Sequence, residues 1–193
     1  MSRDLILSRI RAGKPANQDL PEIPAFAFPF PLADRFREFL EKSGGRLLEM
    51  KRDWSLAEFM ANTFPEAKTI FSPETEWGIG NLPVDSIKGA ADCDQLDLAV
   101  LRARLGVAEN GAVWLSEAEM GFRFIPFIAE HLVVVLDAAD LVANMHEAYQ
   151  RVQIDETGFG VFIGGPSKTA DIEQALVIGA QGPRAMTVVL VKE

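Results

Sequence analysis

The stretch 164–173, Gly-Gly-Pro-Ser-Lys-Thr-Ala-Asp-Ile-Glu, has the residue types of an anion-binding loop. It follows an apolar run that predicts a buried strand, and we expect a helix to begin near its end. Gly165 would let the backbone approach a ligand closely, and Ser167 or Thr169 could cap the helix. The first-turn amides, the helix dipole and the charge of Lys168 would then attract a phosphate or carboxylate. The spacing from glycine to lysine differs from that of a P-loop.

A purely structural interpretation of this stretch stays open. Asp171 and Glu173 would lie in the first turn of the predicted helix 170–177, where their charges alone complement the dipole. The loop that follows, 178–184, has glycines where a helix C-terminus favours them. A capping role is sufficient to explain that loop, although Gln181 and Arg184 could still reach a ligand and Gly182 is a candidate ligand contact.

Two charged residues elsewhere could also do chemistry. Glu109 lies beside a glycine turn at the edge of a predicted strand, where it could serve as acid, base or nucleophile. Gly111 of that turn is a candidate ligand contact. Arg123 lies between aromatic residues and could present its guanidinium to a carboxylate or phosphate. The alternatives are a solvated loop carboxylate and an arginine stem lying along apolar surface.

Cysteine and histidine are too scarce to predict a metal site. Cys93 is the single cysteine, so neither a disulfide nor a Cys-x-x-Cys pair can form. Its neighbours Asp92 and Asp94 disfavour the thiolate. Of the two histidines, we expect His131, just before a buried strand, to be structural and His146 to face solvent. We therefore expect no metal and no cofactor bound to this chain.

Composition narrows the class of protein. The chain has 193 residues, of which 48% are apolar and 24% charged, as in an ordinary globular protein. Its net charge of −9 disfavours binding to nucleic acid or to an anionic membrane. The longest apolar runs, such as 132–136, fall far short of the roughly 20 residues of a membrane helix. With no secretory signal at the N-terminus, we expect a cytoplasmic protein.

Apolar periodicity predicts an α/β fold. We expect helices over 4–11, 32–42, 56–62, 137–152 and 170–177, and strands over 46–50, 69–71, 112–115, 132–136, 161–163 and 186–191. Residues 98–105 fit either a helix or a strand. Strands that alternate with helices indicate a largely parallel sheet flanked by helices. Trp54, Trp77 and Trp114 are scattered, which predicts core or interface positions and no stacking platform.

The N-terminal part differs from the rest of the chain. After the first helix, the stretch 15–31 has five prolines, with three phenylalanines among the last of them. Proline resists helix, so we expect an extended arm that lies on the domain or on a partner subunit. The chain then divides into an N-terminal helix and arm, 1–31, and an α/β domain, 32–193.

These motifs together resemble the LUD-domain family. The residues that carry the resemblance are Ala108-Glu109-Asn110-Gly111, Arg123, Pro126, His131, the run from Gly165 to Glu173, and Gly182-Pro183. The resemblance covers nearly the whole chain, and the run 165–173 is its most specific part. The chain departs from the family at Asn110, where threonine is usual, and at Gln181, where histidine is usual.

The resemblance implies both a fold and a role. The fold would be like that of ribose-phosphate isomerases, glucosamine-phosphate deaminases and CoA transferases. The role would be that of an accessory subunit beside iron–sulfur partner proteins that oxidise L-lactate to pyruvate, with the clusters in those partners.

The residues themselves leave another class of function open. A stand-alone enzyme or a binding module for a small anionic metabolite could use the same loops, with a sugar phosphate, a 2-hydroxy acid or an acyl-CoA as ligand. Its site would combine Glu109, Arg123 and the stretch 167–169. Whether the chain is itself an enzyme is not decided by these patterns.

Overall fold

The computed structural model describes residues 2–15, 18–19, 21–152, 158–172 and 175–193. The helices are α1 (Arg3–Ala12), α2 (Leu32–Lys42), α3 (Leu56–Thr63), α4 (Glu117–Met120), α5 (Ile125–Ile128) and α6 (Met145–Arg151). The strands are β1 (Arg46–Lys51), β2 (Ile70–Phe71), β3 (Leu98–Arg102), β4 (Leu105–Val107), β5 (Ala112–Ser116), β6 (His131–Asp137), β7 (Leu141–Val142), β8 (Gly160–Ile163), β9 (Lys168–Ile172), β10 (Ala175–Ile178) and β11 (Ala185–Lys192).

A five-stranded parallel sheet forms the centre of the fold, in the order β1-β11-β6-β3-β2. Its middle strands are continuous β-branched and aliphatic runs, which suit a sheet covered on both faces. Val134 on β6 pairs with Val188 on β11 and Leu101 on β3, and all three side chains are fully buried. The predicted α/β fold with a largely parallel sheet is confirmed.

A second sheet covers one face of the central sheet. It has the order β7-β4-β5-β8, and β5 is antiparallel to both of its neighbours. The main core joins Leu132 and Leu136 of the central sheet to Val113 and Leu115 of β5. Helix α3 packs on the opposite face. The strands 112–115 and 161–163 are confirmed as strands, but they belong to this second sheet and not to the parallel one.

The predicted helix from Asp137 to Val152 is wrong in its first half. Asp137 accepts the amide hydrogen of Ala139 and caps only a short 3-10 turn, after which β7 pairs with β4. The α-helix begins at Met145, capped by Asn144. Leu141 and Val142 satisfy a helical spacing, but pairing with a neighbouring strand outweighs that local preference.

The predicted helix 170–177 is wrong as well. The chain forms an antiparallel hairpin in which Thr169 of β9 pairs with Val177 of β10, and Lys168 with Ile178. The β-branched residues of this stretch fit strands better than a helix. Glu173, which we expected in the first helical turn, lies outside the described residues.

The stretch 98–105, which fitted either element, is strand. It supplies all of β3 and the first residue of β4. β3 lies between β2 and β6, and its first four residues are buried. That complete burial explains the ambiguity, because a fully buried strand shows no alternation of apolar and polar residues.

The N-terminal arm lies partly on the domain. Phe28 packs against the main core, and the ring of Phe26 stacks on His146, with centroids 5.3 Å apart. Helix α1 buries none of its residues. In the described ranges we find no helix long and apolar enough to cross a membrane.

Candidate functional site

The predicted anion loop lies at the base of the β9–β10 hairpin. The Ser167 amide donates to the Pro183 carbonyl at 2.9 Å, and the Ser167 hydroxyl accepts from the Gln181 amide at 3.3 Å. Gly182 also lies against Ser167. The structure therefore brings Ser167 and Gly182 together. No helix begins here, so the expected contribution of a helix dipole to anion binding is wrong.

Two of the candidate glycines contact helix α2 instead of an open space. At Gly165, where φ is +89°, a Cβ would lie 2.7 Å from the Ser43 carbonyl oxygen. At Gly111, where φ is +69°, a Cβ would overlap the backbone of Leu40. Both positions need glycine for the close approach of two backbone segments, which is a packing requirement.

Lys168 and Thr169 lie where the hairpin leaves this base. The Lys168 ammonium lies over Gly44, since a Cβ at Gly44 would be 2.8 Å from Nζ. Thr169 lies within β9, beyond the loop. The loop 164–169 thus faces the C-terminal turn of α2, and ligand binding by these residues stays a prediction.

Glu109 holds the beginning of helix α6. Its carboxylate accepts the Met145 amide hydrogen at 2.8 Å, and its own amide donates to the Ala143 carbonyl at 3.0 Å. A carboxylate at a helix N-terminus complements the helix dipole. This capping accounts for a carboxylate at 109, and a catalytic role for it stays a prediction.

Arg123 presents its guanidinium fork to a carboxylate of its own chain. Nε and Nη2 donate to the two oxygens of Glu117, at 2.9 and 2.8 Å, and the guanidinium lies 5.0 Å from the Phe159 ring centroid. The Glu117 carboxylate raises the pKa of Arg123. The fork geometry expected for an external anion is thus occupied by Glu117.

Cys93 and His146 lie as the sequence indicates, whereas a structural role for His131 stays a prediction. Cys93 is buried, and burial, followed by the charge of Asp92, raises the pKa of its thiol. His146 is exposed on α6 under Phe26. His131 opens β6, lies edge-on to Phe64, and lines a cavity of about 290 Å³ at the amino ends of the strands. Within the described ranges, no three His, Cys, Asp or Glu side chains group as metal ligands.

Sequence reasoning did not find a crevice of about 370 Å³ at the carboxyl ends of the parallel strands. Its lining comprises Arg52, Trp54, Ser55, Leu56, Ala57, Trp77, Arg102, Val135 and Val191. Trp114 lies in the core, as expected. Trp54 and Trp77 both line this crevice, and their scattered positions in the sequence did not predict that they would lie at one site. The available signal was Arg52, just after the predicted strand 46–50; Arg102 lies in the stretch 98–105, which the sequence left open between helix and strand.

Carboxylates hold both arginines of the crevice in place. Arg52 donates to Asp137 at 2.6 Å, and Asp137 in turn raises the pKa of Arg52. The amide of Ala139, followed by Arg52, keeps the pKa of Asp137 below its usual value. On the other side, Arg102 pairs with Glu74 and Glu76 and lies 4.8 Å from the Trp77 ring centroid.

The chain is an α/β protein of the LUD domain family. The model of that family matches residues 53–191, which is most of the chain. The chain therefore belongs to this family, as the sequence motifs indicated.

Several bacterial relatives named Lactate utilization protein C resemble this chain. The protein of Shouchella clausii is 30% identical over 105 residues, which are 51% of this chain and 45% of that protein. The proteins of Anoxybacillus flavithermus and Bacillus subtilis are 22% and 25% identical, and each match covers 84% of this chain. Those matches cover 70% and 69% of the relatives, whereas the Shouchella match spans less than half of its relative.

One crystal structure shares the fold. It is that of a DUF162 family protein from Deinococcus radiodurans, with a TM-score of 0.64 and 18% sequence identity. The match covers 85% of this chain and all of the other.

Proposed function

We propose that this protein is a component of a lactate-utilisation system and acts as an accessory subunit beside iron–sulfur partner proteins. The observation that carries the proposal is the match of the LUD domain model to residues 53–191, together with relatives named Lactate utilization protein C. Those relatives are distant, so the proposal concerns the process and the kind of subunit.

The supply of ligands in this sequence supports placing the redox centre in a partner. Oxidation of lactate to pyruvate releases two electrons, which need an acceptor. Cysteine thiolates hold iron–sulfur clusters, usually four to a cluster. This sequence has one cysteine, Cys93, which is 1% exposed.

The N-terminal helix supports a role as a subunit. The side chains of Leu5, Ile6 and Ile10 on α1 are 45, 46 and 64% exposed. Three apolar side chains on one short helix, none of them covered by the described domain, suit a helix that docks on another protein. The arm adds exposed Ile23 and Phe30 to this apolar surface.

The bonding of the candidate catalytic residues gives less support to a stand-alone enzyme. Such an enzyme needs Glu109, Arg123 and Ser167 to converge on one substrate. Glu109 instead bonds to the start of α6, Arg123 bonds to Glu117, and Ser167 bonds within the hairpin base.

The test is an anaerobic pull-down of the tagged protein from its native cells, with iron content and lactate-dependent dye reduction measured on the eluate. We expect partner chains that carry iron and reduce the dye. Ile10→Asp puts a charge on the apolar face of α1 and should release them, while Ser8→Asp on the opposite face should not. A colourless protein eluting alone would contradict the proposal.

A further inference from the structure

The crevice at the carboxyl edge of the central sheet is a second region that could bind a molecule. It spans the ends of three neighbouring strands, with Arg102 from β3, Val135 from β6 and Val191 from β11. Arg52 follows the end of β1. Open α/β sheets bind their ligands at this edge, because the loops after parallel strands converge there. The predicted anion loop lies at the opposite edge, before β11 begins.

Positive groups line the crevice in a fixed geometry. The side chains of Arg52 and Arg102 are 59 and 45% exposed, although carboxylates anchor both. The hydrogen bond from Arg52 to Asp137 uses Nη2, which leaves Nε and Nη1 without a partner among the described residues. A guanidinium held on one side by a carboxylate can present its remaining donors to an anion in a fixed orientation.

Carboxylates outnumber arginines around the crevice, with three of them against two guanidinium groups. Asp137, Glu74 and Glu76 offset the two arginines, so the crevice has no excess of positive charge to concentrate simple anions. A ligand therefore needs a further source of binding free energy besides its charge.

The indole rings of Trp54 and Trp77 provide this further binding free energy. Trp54 and Trp77 line the crevice and are partly exposed, so the ring surface that neither the core nor Arg102 covers stays in contact with solvent. Covering this surface with another planar group removes apolar area from water, and aromatic pairs gain further stabilisation. The cavity of about 370 Å³ falls within the range of small-molecule sites, and lactate would leave much of it empty.

We propose that this crevice binds an organic anion that carries a planar ring, with its phosphate or carboxylate on Arg52 and Arg102 and its ring against Trp54 and Trp77. The site is independent of the docking role of α1. Its ligand belongs to a different chemical class from lactate, because it needs both a ring and a charge.

Tryptophan fluorescence gives a direct test on the full chain. Two of the three tryptophans line the crevice, and the third, Trp114, is buried in the second sheet. A ligand in the crevice therefore changes the fluorescence of the two tryptophans that are in contact with solvent. The probes are AMP for a phosphate and benzoate for a carboxylate. Adenosine provides a ring without charge, and inorganic phosphate a charge without a ring. We expect saturable quenching by at least one ring-bearing anion, with adenosine and phosphate at least about tenfold weaker.

Paired variants assign the binding to the crevice. Arg102→Gln should weaken the effective probe about tenfold, because a hydrogen bond to a charged group is lost. Arg151→Gln removes an arginine of similar exposure from α6 and should leave the affinity unchanged. Trp77→Leu should weaken binding when measured by calorimetry, and unchanged melting temperatures show that the variants fold.

The proposal is overturned if neither AMP nor benzoate binds saturably. It is also overturned if inorganic phosphate binds as tightly as AMP, or if Arg151→Gln loses as much affinity as Arg102→Gln. If one of the two probes binds as expected, the relative affinities of AMP and benzoate indicate whether the natural ligand carries a phosphate or a carboxylate.

Discussion

Gly165 lies directly against Ser43, at the C-terminal end of α2. A Cβ at position 165 would be 2.7 Å from the Ser43 carbonyl oxygen, closer than real Cβ contacts come. The glycine of the motif that resembled an anion-binding loop thus joins that loop to a helix of the same domain. Because of this contact, a substitution at 165 disturbs the packing of the loop against α2, and any change in ligand binding follows from that.

Gly165→Ala should destabilise the protein strongly. We expect a loss of about 3 kcal/mol in the free energy of unfolding, from the positive φ of +89° and from the overlap with Ser43. Gly78→Ala is the matched control, since φ there is +61° and the space around it is open. It should cost about 1 kcal/mol, from backbone strain alone. Equal losses in urea unfolding would show that the contact with Ser43 is relieved at little cost.

Glu109→Ala should lower stability by about 1 kcal/mol, because the Met145 amide loses its acceptor at the start of α6. Glu109→Gln keeps an oxygen acceptor and should retain most of that stability. Thermal unfolding of the two variants measures the difference. The same pair tests catalysis, since a catalytic carboxylate loses its activity in Glu109→Gln while the fold is kept. Equal destabilisation by Ala and Gln would mean that the charge, and not the hydrogen bond, holds α6.

Asp97 should make the stability depend on pH in the acid range. Its carboxylate accepts the amides of Lys68 and Thr69, at 2.7 and 2.9 Å, and so joins the approach to β2 to the start of β3. The Thr69 amide, followed by that of Lys68, lowers the pKa of Asp97. A lowered pKa means that this stabilisation is complete above the unfolded-state pKa of about 3.9 and is lost as pH falls through the folded-state pKa.

Asp97→Asn tests this dependence. The variant should be less stable than the parent chain at pH 7, and the difference should shrink as pH falls below about 4. Urea unfolding at a series of pH values gives both curves. Parallel curves through the acid range would show that the charge of Asp97 does not contribute.

Cys93 should react slowly in the native protein. The side chain is 1% exposed, and burial raises the pKa of the thiol, with a further contribution from Asp92. Because the thiolate is the reactive form, modification by a disulfide reagent at pH 8 should be at least roughly tenfold slower than for a small free thiol. Full reaction in denaturant provides the control. Rapid modification without unfolding would contradict the buried position.

Four of the five strands of the central sheet could be predicted from the sequence, whereas the stretch that supplies β3 fitted a helix as well as a strand. The run 132–136 is apolar and β-branched throughout, and such a run is stable only when both faces are covered. Helix α2 was equally clear, with Phe36 and Leu40 buried at helical spacing. The scarcity of cysteine and histidine is likewise a property of the sequence alone.

The segment that supplies β9 and β10 could not be predicted in the same way. Its apolar residues satisfy helical spacing as well as strand alternation, and the pairing between β9 and β10 decides between them. The helix dipole expected at the candidate anion loop failed at the same point, because no helix forms there; ligand binding by the loop residues stays a prediction. Leu141 and Val142 also have a spacing that fits a helix, but pairing with β4 places them in a strand of the second sheet.

By itself, the sequence determined the α/β class, the buried parallel strands, the acidic charge and the absence of a cysteine ligand set, because each follows from local composition or periodicity. Only the tertiary structure decided which partners the candidate residues have. Glu109 meets Met145 and Gly165 meets Ser43 across long stretches of chain, and Trp54 and Trp77 meet at one crevice. Contacts between residues far apart in sequence depend on how the sheets pack, which no local pattern specifies.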